Sequence, residues 1–289
     1  MNRSLRGSIC SLVLGSSLTF PAVAMDIAIL GASQQAGLDD VRAKVENAGS
    51  FSSVSTIRVV DQTPTLAGIS DYDAVLVYSN ALIPNSGYDD PQALGNVLAD
   101  YVDLGGGVVV ASFSFDSDSG AGLQGRLAGE GYLPFTQAPD TGSEADLTLV
   151  PLADGHPLLF GVNSFNGGDG SYHNASIAFR AGADRVAEWS NGQPLIGALS
   201  PSGNGAVVGL NFYPPSSDAN SSFWDAATDG DLLMANALVY SATLELRAVM
   251  ASQIVRKAVG AVEQGLTRFC ESPNKRANPA FYGQLCEAD

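Results

Sequence analysis

DPQALGNVLADYVDLGGGVVVASFS, residues 90–114, spells out a helix, its stop and the strand that follows. Asp90 and Pro91 are the residue types favoured at a helix start. Aspartate accepts hydrogen bonds from the unpaired N–H groups of the first turn, and proline lacks an N–H to leave unpaired. Leu94, Val97, Leu98, Tyr101 and Val102 recur at helical spacing and share one face. Gly105, Gly106 and Gly107 end the helix. Val108 to Ser112 is then a strand, apolar without alternation through Ala111, as a strand covered on both faces is.

The same grammar extends upstream. DAVLVYS, residues 73–79, is a second fully apolar strand, and DIAILGA, residues 26–32, is a buried strand feeding a loop. Between them Leu38, Val41 and Val45 fall at helical spacing in and just before residues 39–48, closed by Gly49, and residues 54–60 are β-branched and alternating. Apolar strands separated by amphipathic helices predict a parallel sheet with helices on both faces. Downstream, residues 116–182 are irregular and rich in Gly, Ser, Asn and Asp, with a helix expected near 123–128. Residues 185–189, 194–199 and 206–212 read as strands. The link over 200–205 has hairpin chemistry, so this half is antiparallel and the sheet is mixed. A further helix is expected over 232–242.

The two ends read differently. Arg3 and Arg6 precede an apolar run over residues 8–20. Pro21 and the small-x-small triplet Ala22-Val23-Ala24 follow, which is the form of a secretory signal cleaved near Ala24. The run is shorter than the ~20 residues that span a bilayer. The expected location is therefore secreted or periplasmic, with no membrane span. The net charge is -16, or -18 once Arg3 and Arg6 are removed. Such a surface repels polyanions, which argues against nucleic acid as a partner. Residues 25–245 hold six Lys/Arg and 26 Asp/Glu, a balance of -20, whereas residues 246–289 hold six and four, a balance of +2. The shift marks a module boundary. The expected organisation is a signal over 1–24, an α/β domain over 25–243 and a helical tail over 244–289. Cys270 and Cys286, both in the tail, are expected to form one disulfide in an oxidising compartment. The apolar stripe of residues 246–269 packs either on the domain or on another copy or partner.

Taken in order, YDAVLVYSN (72–80), LADYVDLGGGVVVASFS (98–114), HPLLFGV (156–162) and GNGAVVGLNFYPP (203–215) resemble the class I glutamine amidotransferase-like superfamily, in particular its ThuA-like branch. The resemblance implies a flavodoxin-like three-layer α/β/α sandwich, here with a helical extension at the C-terminus. It also implies a Cys nucleophile at the turn after the strand that ends near Ser112. This chain has Phe113 between Ser112 and Ser114 there, and residues 25–243 contain no Cys. Cys-dependent amidotransferase chemistry is therefore not expected.

In an open α/β sheet, ligands gather at the carboxyl ends of the strands. Ser33, Asn80, Ser112, Ser114 and Tyr213 belong there. They are polar and neutral, and they suit recognition of a small polar or sugar ligand better than bond breaking. Small polar residues also simply terminate strands. A hydrolase or lyase acting on carbohydrate would use His156 or His173, lying beside Ser112, Ser114 or an Asp in a cleft. Asp116, Asp118, Asp225, Asp229 and Asp231 offer oxygen ligands for calcium, but neither cluster has EF-hand spacing and no Glu closes either one. Capping of the helix after Asp229 or Asp231 is the simpler use. Phe212, Tyr213, Phe223 and Trp224 could stack on sugar or could be core. ThuA-like proteins have been linked to carbohydrate metabolism, which adds a little to the sugar reading. No cofactor or metal is expected. The leading expectation is an exported non-catalytic binding or interaction protein. A carbohydrate-active enzyme and an envelope protein that oligomerises through its tail are the alternatives.

Overall fold

Burial along each strand explains the layering. The computed structural model describes residues 25–49, 51–80, 87–118, 120–201 and 205–242. The expected export signal, the helical tail and the Cys270–Cys286 pair lie outside these residues, as do residues 202–204 of the expected turn. In chain order the elements are β1 (Asp26–Ala32), α1 (Gln35–Ala48), β2 (Ser53–Arg58), the one-turn α2 (Leu66–Ile69), β3 (Ala74–Ser79), α3 (Pro91–Asp103), β4 (Gly107–Ala111) and α4 (Gly125–Gly129). Then follow β5 (Thr141–Gly142), β6 (Leu149–Pro151), β7 (His173–Asn174), β8 (Asp184–Trp189), β9 (Pro194–Leu199), β10 (Val207–Leu210) and α5 (Gly230–Ser241).

Eight strands form one sheet in the order β2-β1-β3-β4-β10-β9-β8-β6, while β5 and β7 pair separately. From β2 to β10 neighbours are parallel; from β10 to β6 they are antiparallel. The mixed sheet matches the sequence reading. Side chains that alternate along a strand enter opposite layers. Ile27, Ile29, Leu76, Tyr78 and Val109 pack with Leu38, Val41 and Val45 of α1 and Leu233 and Leu238 of α5. Ala28, Leu30, Val75, Val77, Val108 and Val110 pack on the other face with Leu94, Leu98 and Val102 of α3 and Leu127 of α4. This is the expected three-layer sandwich.

Local signals are realised atom by atom. Asp90 caps α3: its Oδ1 accepts from the N–H groups of Gln92 and Ala93. Gly105 takes φ +99°, a conformation that suits glycine, just past the helix. At Gly107 a Cβ would meet the backbone of Ser241 at 2.5 Å, so glycine is what lets β4 start against the end of α5.

Two expectations need correction. The middle segment is less irregular than its composition suggests, because residues 149–151 add an edge strand to the main sheet beside β8. Of the two expected caps, Asp229 is the last residue before α5 but its side chain does not cap the helix, whereas Asp231 in the first turn accepts from the Leu232 N–H. The Asp229 Oδ2 instead accepts from the N–H groups of Asn163 and Ser164 and pins that loop. Asn236 holds the loop from the helix side by donating Nδ2 to the carbonyls of Leu158 and Phe160.

Candidate functional site

Because β1, β3, β4 and β10 run parallel, Ser33, Asn80, the Ser112–Ser114 turn and residues 211–213 emerge on one edge of the sheet. The strand order reverses between β1 and β3, with β2 added on one side of β1 and β3 and β4 on the other, which is the usual crevice position in such sheets. Here the crevice is largely filled. Ser33, Ser112 and Ser114 are 1%, 0% and 0% exposed. Each hydroxyl has a partner inside the protein. Ser33 Oγ lies 3.0 Å from Tyr78 Oη, and Ser114 Oγ lies 2.6 Å from Tyr88 Oη. Ser112 Oγ donates to Asn211 Oδ1 at 2.9 Å.

Asn211 organises this edge. Its Oδ1 also accepts from the Asn174 N–H at 2.8 Å, and its Nδ2 donates to the carbonyls of Asn174 and Pro194. Its backbone carbonyl accepts from Trp189 Nε1. One buried amide therefore ties β10, β7, β9 and the turn after β4 together. Sequence reading passed over it, although a lone Asn within the apolar run of residues 206–212 was the available signal.

Neither histidine is hydrogen-bonded to Ser112 or Ser114. His156 caps a short 3₁₀ turn over Pro157–Leu159, its Nδ1 accepting from the Leu158 N–H, and its ring lies 5.3 Å from that of Tyr240. His173 sits one residue from Asn174, but its Nδ1 engages the Ser171 carbonyl at 2.7 Å and its ring faces Trp189. Burial lowers the pKa of both rings from the usual histidine value. Desolvation is the main cause in each, because it disfavours the charged form.

What remains open at the edge is a pocket of about 180 Å³. Asn80, Phe113, Tyr172, Tyr213, Asn220 and Phe223 line it. The Phe113 and Tyr213 rings lie 5.8 Å apart, and Phe223 stands edge-on to both Tyr213 and Tyr172, at 4.9 and 5.9 Å. Asn80 Nδ2 donates to Tyr213 Oη at 3.0 Å. Asn220 Oδ1 accepts from the N–H and hydroxyl of Ser222. Burial pushes the Tyr213 phenol well above its usual pKa, and hydrogen bonds from Asn80 and Ser33 only partly oppose this. The same holds for Tyr78 and for Tyr88. The lining is thus uncharged at neutral pH: aromatic walls with amide, phenol and hydroxyl groups between them. Of the residues expected at a ligand rim, the structure places Asn80 and Tyr213 in the pocket and withdraws Ser33, Ser112 and Ser114 into the core. Tyr172 and Asn220 were not anticipated, because they arrive on loops whose path the sequence does not dictate.

The other candidates divide. Phe212 and Trp224 are core, packed on Phe165. Trp224 Nε1 also donates to the Pro214 carbonyl. Asp116 Oδ1 accepts from the Asp118 N–H in a local turn, and Asp225 Oδ1 accepts from the Ala227 N–H. Among the described residues no group of three acidic, His or Cys side chains is placed to hold a metal. Among them too, no helix is long and apolar enough to cross a membrane.

Comparisons with known proteins agree with this scaffold. No family model matches the chain, and no curated protein matches it by sequence. Solved structures do match. A protein from Bacteroides uniformis described as ThuA-like is 12% identical, with a TM-score of 0.50 over 77% of this chain and 95% of that one. A second ThuA-like structure, from Parabacteroides merdae, is 16% identical, with a TM-score of 0.49 over 75% and 90%. A glutamine amidotransferase from Thermotoga maritima is 9% identical, with a TM-score of 0.45 over 68% and 78%. At these identities the likeness concerns the fold alone, and the fold is the one seen in the ThuA-like structure from Bacteroides uniformis.

Proposed function

We propose that this is an exported, non-catalytic binding protein that recognises a small neutral polar ligand at the strand-end pocket. A single sugar ring is the best-fitting class. One observation carries the reading. Phe113 stands at the turn after β4, where amidotransferase-like enzymes place their nucleophile, and its ring packs on Tyr213 to form a pocket wall. The flanking hydroxyls of Ser112 and Ser114 are held by Asn211 and Tyr88, so among the described residues neither serine is hydrogen-bonded to a base.

The walls suit a pyranose. Its C–H faces stack on aromatic rings, and its hydroxyls match the amides of Asn80 and Asn220 and the hydroxyl of Ser222. At about 180 Å³ the pocket is smaller than the roughly 300–1,000 Å³ typical of drug-sized ligands, so it fits one ring rather than a chain. Export follows from the N-terminal reading and would place the pocket where free sugars and glycans occur.

Isothermal titration with glucose, mannose and N-acetylglucosamine tests the proposal. At least one should bind with a stoichiometry of one, and Phe223→Ala should abolish the heat while leaving the fold intact. Failure of all three, or binding unaffected by Phe223→Ala, would count against it.

A further inference from the structure

The described residues contain six cationic side chains, and their pairing is uneven. Arg42 pairs with Glu46, Lys44 with Asp218, Arg58 with Asp61, and Arg126 with Asp100, Asp103 and Glu130. Arg180 and Arg185 pair with no carboxylate among the described residues, although Asp and Glu outnumber Lys and Arg 26 to six over residues 25–245. In so acidic a chain every cation has carboxylates to choose from, and two unpaired guanidinium groups together call for an explanation. Both line the same open groove of about 540 Å³ beside β8 and β9. It shares no lining residue with the strand-end pocket.

Each guanidinium is held in place without losing its charge. Arg180 donates Nε to the Phe135 carbonyl at 3.1 Å and Nη2 to the Ala128 carbonyl at 3.4 Å. A guanidinium has five N–H donors, so most of its fork remains to be used. The Arg185 guanidinium lies over the Phe179 ring at 5.0 Å, stacked on its π face. Carbonyls and an aromatic face orient a cation but do not neutralise it. Ile177, Phe179 and Pro194 supply an apolar floor, and Glu188 also lines the groove. Two arginines and one glutamate leave a net charge of +1.

We propose that this groove is a second binding site, for an organic monocarboxylate with an apolar body. The single excess positive charge matches one negative charge. The fork geometry of two arginines matches a carboxylate, and the ring floor matches an apolar body. A phosphate dianion fits less well: Glu188 opposes the second charge, and the floor offers it nothing.

The test is a ¹⁵N–¹H correlation titration of the full chain with 3-phenylpropanoate, the neutral 3-phenylpropanamide and inorganic phosphate. The carboxylate should shift the amides of residues 177–181, 185, 188 and 192 saturably, and the neutral amide should not. Arg185→Gln, at an exposed position, should weaken the carboxylate about tenfold with peak dispersion unchanged. Arg180→Gln should weaken it too, whereas Glu188→Gln should strengthen it. The proposal is overturned if the carboxylate causes no saturable shift, if the neutral amide or phosphate binds as well, or if Arg185→Gln changes nothing.

Discussion

Replacing Asn211 with Ala should be among the most damaging single changes at the strand-end edge. The side chain is fully buried and makes four hydrogen bonds: from Ser112 Oγ and the Asn174 N–H, and to the carbonyls of Asn174 and Pro194. Truncation leaves two donors without an acceptor. Stranding a buried polar group costs about 1–3 kcal/mol, and a carbonyl with a second partner costs less. Two orphaned donors, plus the cavity left by the amide, give about 3–5 kcal/mol, allowing for some rescue by water. That is a large share of the roughly 5–15 kcal/mol stability of an ordinary domain. Ser112→Ala removes only one of the four partners and should cost about 1 kcal/mol. Urea unfolding followed by tryptophan fluorescence reads both variants through the midpoint at constant slope. If Asn211→Ala lost less than about 1 kcal/mol, the amide would not be holding this edge, and assigning Ser112 to the scaffold would lose its physical basis.

Three further outcomes follow from the same geometry. Phe223 lies half-buried on the pocket wall and packs on Tyr213 and Tyr172, so Phe223→Ala should lower the urea midpoint modestly, by about 1–2 kcal/mol of stability, while abolishing sugar binding, as checked by paired denaturation and calorimetry. Burial holds the phenols of Tyr78, Tyr88, Tyr101 and Tyr213 well above their usual pKa, so difference absorbance of the native protein near pH 11 should show these four un-ionised until it unfolds. The folded pKa values of His156 and His173 are lowered, so the unfolded chain takes up more protons below its own histidine pKa of about 6.5. Stability should therefore be flat in this respect above that pH and should fall as the pH drops from it towards the folded values. His173→Gln should flatten part of that slope in urea midpoints measured through this window.

Much of the scaffold could be read in the sequence because its signals are local. Asp90-Pro91 and the three glycines at 105–107 bracket α3. The uninterrupted apolar runs at β1, β3 and β4 mark strands buried on both faces. Edge strand β6 escaped notice because its three residues are mostly exposed and include Pro151. The site was legible by position but not by role. Strand direction placed Ser33, Asn80, Ser112, Ser114 and Tyr213 on one edge. Which hydroxyls faced inward depended on partners far away in sequence: Tyr78 for Ser33, Asn211 for Ser112, and Tyr88 for Ser114. Likewise Asp229 had the position of a helix cap but spent its carboxylate 66 residues upstream, on Asn163. Long-range choices of this kind leave no periodic trace.

Recognition without turnover at the strand-end pocket is tested most directly by a single NMR titration that observes protein and sugar together. ¹⁵N-labelled protein is mixed with the neutral monosaccharide that binds best, and the sugar resonances are recorded over days in the same tube. The expected result is saturable shifts at Asn80, Phe113, Tyr172, Tyr213 and Phe223, with the sugar spectrum unchanged throughout. Shifts confined to other surfaces, or sugar signals replaced by those of a product, would contradict it.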